Sequence, residues 1–197
     1  MPMLGIMASG ISGNLWAPAG AYDSISTATV TSGGTSSITF SSIPQTYTHL
    51  QLRGFLQANR SDYPIENTNI VFNSDTAGNY SFHYLDGGLS ANVQSAVSGG
   101  SINQASILLP NSAGDTAGGQ FGTSVTDILD YANTNKYKTI RYLGGDDINT
   151  TVLNYAGHIV LGSGNWRSTV SINSITITPQ SSSLWNQYSQ ISLYGIK

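Results

Sequence analysis

The sequence predicts an all-β chain: a single antiparallel β-sandwich, jelly-roll-like, with an extended N-terminal arm. Short runs of alternating apolar and polar residues recur along the chain, and clusters of Gly, Ser, Asn and Asp separate them. No segment shows a sustained apolar stripe with the 3.6-residue period of a helix. A length of 197 residues fits one such domain. We therefore expect an arm over residues 1–21 and a sandwich over residues 22–197.

The expected strands show an apolar period of two residues. In "SSITFSSIP", Ile38 and Phe40 share one face, and in "THLQLRGFL" the same holds for Leu50, Leu52 and Leu56. Alternation of this kind, bounded by turn-forming residues, is typical of half-buried strands. Later runs with this pattern are "YSFHYLDG", "SILLP", "FGTSVTDIL", "KTIRYL", "GHIVLG", "TVSINSITITP" and "QISLYGIK".

Some segments depart from simple alternation. In "TVSINSITITP" the apolar phase slips between Val170 and Ile175, which predicts a β-bulge near Asn173 or Ser174. The segment "DILDYANTNKYK" has room for one helical turn, but its Asn-Thr-Asn core favours a loop between two strands. "GSGNW" and "GGDDIN" carry residues typical of turns, and we expect a turn at each.

The composition restricts the classes of function. Lysine and arginine number 7, aspartate and glutamate number 10, the net charge is −3, and no basic run occurs. We therefore expect neither nucleic-acid binding through phosphates nor attachment to an anionic membrane. Only 9% of the residues are charged, and cysteine is absent. A polar but weakly charged surface suits burial against other subunits, where a buried charge is costly. No cofactor is expected.

The three histidines, His49, His83 and His158, all fall within expected strands. A metal cluster or a catalytic base would use residues of this type. No short spacing links them to one another or to a carboxylate, so we interpret them as unrelated strand residues.

Acidic residues concentrate in two places. Asp127 would lie on the outer face at the end of a strand, near Asp130, while Asp146 and Asp147 fall in "GGDDIN". Paired carboxylates can bind Ca²⁺ or cleave a glycan. We interpret Asp146 and Asp147 as turn residues whose side chains cap their own backbone. The alternatives are a Ca²⁺ site and a glycan-cleaving enzyme.

Aromatic residues allow two interpretations. The chain has 11 tyrosines and 3 tryptophans, which suit either a subunit interface or a carbohydrate groove. Trp166 and Trp185 stand in turn-like, Asn-containing surroundings. We expect both to be exposed, as contacts to a partner or to a glycan.

Residues 1–16, "MPMLGIMASGISGNLW", hold no charged side chain. A signal peptide would need a basic start, yet the first basic residue is Arg53. Ser, Asn and Gly interrupt the run too often for a membrane span or a stable helix. We expect a docking arm, because exposed apolar residues invite aggregation unless a partner covers them. Its docking residues are Met3, Leu4, Ile6, Met7, Ile11, Leu15 and Trp16.

Four stretches together carry a family resemblance: "YDSISTATVTSGGTSSITFSSIPQTYTHLQLRG", "DILDYANTNKYKTIRYLGG", "NWRSTVSINSITITP" and "YSQISLYGIK". This set resembles small virion structural proteins of tailed bacteriophages. Related sequences typically begin with a Met-Leu-Gly-Ile-like arm, as in "MLGIMASGISG", and end in a pattern like "SLYGIK". The resemblance covers nearly the whole chain, is looser over "NRSDYPIEN" and "ANVQSAVSGGSINQ", and brings no catalytic residues.

The resemblance implies a virion component with one of two functions. The first is a non-enzymatic capsid decoration, or cement, protein that stabilises the shell by subunit packing. The second is a tail fibre or baseplate protein that recognises a host surface glycan. The implied partners are the major capsid protein or tail proteins, together with further copies of the chain in a homo-oligomer, with a trimer favoured.

Overall fold

The computed structural model describes residues 20–61, 65–87, 93–97, 107–113, 119–147 and 157–197. All the residues expected to form the docking arm lie outside these ranges. No helix in the described ranges is long and apolar enough to cross a membrane. The strands are β1 (Tyr22–Thr29), β2 (Ile38–Phe40), β3 (His49–Leu56), β4 (Ile65–Phe72), β5 (Tyr80–Gly87), β6 (Val93–Val97), β7 (Ile107–Ala113), β8 (Gly122–Leu129), β9 (Lys138–Asp147), β10 (Gly157–Trp166), β11 (Ile175–Pro179) and β12 (Gln190–Ile196).

These strands form two open antiparallel sheets. The large sheet is eight-stranded, with the order β1-β12-β3-β8-β9-β10-β5-β6. The small sheet is four-stranded, with the order β2-β11-β4-β7. The first and last named strands, β1 and β12, pair with each other, so the two ends of the described chain meet at one edge of the large sheet.

The two sheets share one hydrophobic core. Leu52 and Tyr142 of the large sheet line the same interior space as Ile70 and Ile177 of the small sheet. Each buried aliphatic side chain contributes about 1.5–3 kcal/mol, so apolar residues at alternate positions hold the two layers together. The all-β, antiparallel fold class is confirmed, and its two sheets are consistent with a β-sandwich. Buried core residues include Val30, Ile38, Phe40, Leu50, Leu56, Phe72, Tyr80, Ile128, Tyr131, Ile140, Val160, Trp166, Ile172, Ile175, Trp185, Ile191 and Leu193.

The expected alternation is visible within single strands. In β2, Ile38 and Phe40 are buried and Thr39 between them is exposed. In β10, buried and exposed positions alternate from His158 to Gly164. The segment "DILDYANTNKYK" ends β8 and forms turns before β9 begins, so the expected loop is confirmed.

The expected β-bulge at Asn173 or Ser174 is wrong. Strand β11 begins only at Ile175 and pairs with both neighbours without a register shift. The apolar phase slips because the preceding residues form a loop. In that loop, the backbone N–H groups of Asn173 and Ser174 donate to Asn73 Oδ1 over 2.9 and 3.1 Å. Ile172 is nevertheless fully buried.

Both expected turns are wrong as well. "GSGNW" lies inside β10, and the "GGDD" of "GGDDIN" lies inside β9. A Cβ atom on Gly162 would lie 3.3 Å from Cβ of Tyr84 and 3.4 Å from Cδ1 of Tyr142. Glycine stands in this strand because aromatic side chains of the neighbouring strands occupy the space beside it.

Candidate interaction surface

The outer face of the large sheet carries a row of exposed aliphatic side chains. Val125, Leu143, Leu161 and Leu85 are direct cross-strand partners on β8, β9, β10 and β5. They are 40%, 55%, 52% and 46% exposed, respectively. The residues beside them along each strand point to the core, because successive side chains of a strand face opposite sides. We call these four residues the apolar row.

A depression widens the apolar row on one side. Ile159, which is 68% exposed, pairs with Gly145 on β9. Because Gly145 has no side chain, the surface is recessed between Ile159 and its neighbours. Phe121, Val125 and Leu143 also line this shallow depression, which has a volume of about 700 Å³. The row and the depression together form a continuous apolar area.

A hydrogen-bonded polar ladder runs along the other side of the apolar row. Gln51 Nε2 donates to Asp127 Oδ1 over 2.6 Å, and Arg141 Nη2 donates to Asp127 Oδ2 over 2.6 Å. Arg53 Nε donates to Gln51 Oε1. Burial by itself raises the pKa of Asp127, but the hydrogen bonds from Gln51 and Arg141 and the charge of Arg141 outweigh it and lower the pKa. Asp127 lies on the outer face, as predicted.

Near the start of β1, the outer face changes to aromatic residues. The Arg53 guanidinium lies 4.5 Å from the ring centre of Tyr22 and 4.8 Å from that of Tyr194. A cation between two aromatic faces is attracted by both. This contact places the Tyr22 ring on the outer face, at the point where the described chain begins to pair with β12.

The surface is suited to binding apolar groups, with polar groups along one border. Contiguous exposed apolar area on a soluble domain marks an interaction site far more often than isolated apolar residues do. In the polar ladder, Asp127 and Arg141 form an ion pair, while the Arg53 guanidinium contacts an amide oxygen and two aromatic rings. The arrangement favours protein packing over the recognition of a charged ligand.

The expected exposure of Trp166 and Trp185 is wrong, because they are only 2% and 0% exposed. Trp166 stacks on Tyr80, with ring centres 6.3 Å apart and an angle of 16° between the rings. Its indole N–H donates to Asp75 Oδ2 over 2.7 Å. Trp185 forms isolated bridges with Thr35 and Ala58. Neither ring can stack on a glycan from outside.

The histidines remain apart from one another, but His158 lies between two carboxylates. Its Nδ1 is 3.8 Å from Asp86 Oδ2, and its Nε2 is 4.0 Å from Asp146 Oδ1. The His158 side chain is only 1% exposed and that of Asp146 is fully buried. All three histidines lie in strands, as expected, and sheet pairing brings His158 near two carboxylates that are distant in sequence.

Burial raises the pKa of Asp146, and the charges of Asp86 and Asp147 act in the same direction. The Asp146 carboxylate also accepts the backbone N–H of His158 over 3.1 Å. Within the described ranges, no group of three or more histidine, cysteine, aspartate or glutamate side chains is placed to hold a metal ion. The geometry therefore does not support the Ca²⁺ site considered at Asp146 and Asp147. Asp146 and Asp147 point to opposite faces of β9 and do not confront each other across a groove.

The other titratable candidates have structural contacts. His49 Nδ1 accepts the backbone N–H of Asp130 over 2.9 Å, which ties β3 to the turn after β8. The Asp130 carboxylate pairs with Lys136 over 2.5 Å in that turn. His83 is exposed on the outer face, next to the end of the polar ladder at Arg141.

Comparison with models of known protein families finds no match to this chain, and comparison with curated proteins finds none either.

Sequence reasoning missed the apolar row. Its signal is present, because "KTIRYL" and "GHIVLG" place apolar residues on both faces of a strand, as at Val160 and Leu161. A strand that faces water on one side normally alternates cleanly. Apolar residues on both faces could have indicated a covered outer surface, but only the cross-strand register shows that they align.

Proposed function

We propose that this chain is a non-enzymatic structural protein of a bacteriophage virion. Within the virion, it serves as a capsid decoration protein that stabilises the shell by packing against neighbouring subunits. The observation that carries the proposal is the apolar row on the outer face of the large sheet. A jelly-roll-like connection of the strands and an extended N-terminal arm belong to the same proposal.

The energetics of the outer face support a packing function. Covering the exposed half of each aliphatic side chain in the row is worth about 1 kcal/mol. Few charges would have to be desolvated, because the chain is only 9% charged. Such a surface gains more from contact with another protein than from water.

The family resemblance supports the virion as the location. It rests on four stretches spread over most of the chain, including the N-terminal "MLGIMASGISG" and the C-terminal "SLYGIK". The alternative of a tail protein that binds a host glycan is weakened, because Trp166 and Trp185, the two expected glycan contacts, are buried. The apolar outer face favours packing within a shell.

The test is the copy number of this chain in purified virions, measured by quantitative mass spectrometry against the major shell protein. A decoration protein should be present at a simple ratio to the shell protein. A copy number matching one tail ring would overturn the capsid location, and absence from the particle would overturn the virion proposal itself.

A further inference from the structure

We propose that the apolar row is the docking site for the N-terminal arm, residues 3–16, of a neighbouring copy of this chain. The inference rests on the proposed function, because it names the contact by which copies assemble. It identifies both sides of that contact. One is the four-residue row with its depression, and the other is the charge-free start of the sequence.

The chemistry of the two sides matches. Residues 1–16 contain no charged side chain, and their apolar residues recur at short intervals from Met3 to Trp16. The row is likewise free of charge. Beside it, Asp127 and Arg141 pair with each other, and the Arg53 guanidinium contacts the Gln51 amide oxygen and two tyrosine rings. An arm seated over Leu143, Leu161 and Leu85 would bury apolar groups on both sides, away from that guanidinium.

The geometry brings the arm to the correct side of the molecule. The described chain begins at Gly20, and Tyr22 contacts Arg53 on the outer face. Arg53 is the direct cross-strand neighbour of Val125, the first residue of the row. The arm is therefore attached at the edge of the sheet that carries its docking site.

Distances limit where Trp16 can lie on the apolar row of its own molecule. Strand β1 is separated from β8 by β12 and β3, which places the strands about 14 Å apart at about 4.8 Å per spacing. Tyr22 also lies about 13 Å further along the strand direction than Val125, at about 3.3 Å per residue. Trp16 is six residues from Tyr22, a span of about 20 Å at full extension.

In its own molecule, Trp16 would therefore reach only the near end of the row, and only with the intervening chain fully extended. Leu85, at the far end, lies three strands further on. An arm from an adjacent copy can place Trp16, its largest apolar side chain, anywhere along the row, and only such an arm joins one copy to another, as the proposed function requires. Exchange of arms in this way also links copies into a closed oligomer.

Cross-linking tests the contact directly, because the 197 residues of the chain include no cysteine. An affinity-tagged chain with Ile11→Cys is co-expressed with an untagged chain carrying Leu161→Cys and treated with a short bismaleimide. The tagged chain is then recovered under denaturing conditions. We expect a cross-linked product that contains both chains.

Two matched variants serve as controls. Val170→Cys replaces Leu161→Cys at a site that is 58% exposed but lies outside the large sheet, and it should give no product. Leu143→Gln, added to the Leu161→Cys chain, should weaken docking by about fivefold and reduce the product accordingly. Equal product with Val170→Cys, or full product with Leu143→Gln, would overturn the proposal.

Further outcomes separate this inference from the proposed function. If the wild-type chain is an oligomer by sedimentation but Ile11 and Leu161 do not cross-link, the docking site is wrong and the assembly function stands. A chain with both substitutions that cross-links only within itself would contradict the neighbouring copy as source. A wild-type chain that is monomeric and absent from virions would contradict both proposals.

Discussion

Trp166→Ala tests whether this tryptophan supports the core rather than an external contact. Trp166 is 2% exposed, stacks on Tyr80, and lies 5.6 Å from Phe72 between ring centres. Removing a fully buried tryptophan costs about 3–5 kcal/mol, because the transfer free energy and the cavity both count. The cost corresponds to a fall of about 6–20 °C in Tm for a domain of this size.

Equilibrium unfolding in urea, followed by tryptophan-independent far-UV circular dichroism, measures the free energy directly. Tyr137→Ala is the matched control, since this aromatic residue is 54% exposed and its loss should change stability by no more than about 0.5 kcal/mol. Trp166→Phe keeps a ring but loses the hydrogen bond to Asp75, and should fall between the two. If Trp166→Ala were as mild as Tyr137→Ala, the assignment of Trp166 to the core would be refuted.

Two further predictions concern buried polar groups. Because burial raises the folded-state pKa of Asp146, its stabilising contribution is complete below the unfolded pKa and is lost as the pH rises through the folded pKa. Asp146→Asn can still accept the His158 N–H, so it should reduce the pH dependence of the free energy of unfolding in urea and raise that free energy at neutral pH. Asp147→Asn, at an exposed position, should change neither. Lys138 is fully buried, and its ammonium donates to the carbonyls of a turn. Lys138→Met should cost about 1–3 kcal/mol in thermal unfolding and Lys136→Met about 0–1 kcal/mol, and equal losses would contradict the buried role.

The fold class could be predicted because apolar alternation has a direct physical cause. One face of each strand must be buried, so Ile38 and Phe40 or Leu50 and Leu52 appear at every second position. Strand β4 was harder to predict, since its Glu66 is fully buried at a register shift and interrupts the apolar pattern. Hydroxyls of Ser181 and Ser183, distant in sequence, donate to this carboxylate and make its burial possible.

The candidate site depends on strand order, which local patterns do not encode. Val125 and Leu143 are separated by a turn, but Leu161 and Leu85 join the same row only because β10 and β5 are neighbours. The exposure of the tryptophans was predicted wrongly for a related reason. The residues before Trp166 look like a turn, yet they belong to β10, where Gly162 lies close to tyrosine side chains of both adjacent strands.

The most direct measurement of the central claim is the amount of this chain in purified virions when the outer face is altered. Leu143→Gln combined with Leu161→Gln changes only exposed positions, so thermal unfolding should be nearly unchanged. We predict that this variant is lost from the particle, measured as its mass-spectrometric ratio to the shell protein, while Val170→Gln is incorporated normally. Wild-type incorporation of the outer-face variant would contradict the claim that this face holds the protein in the shell.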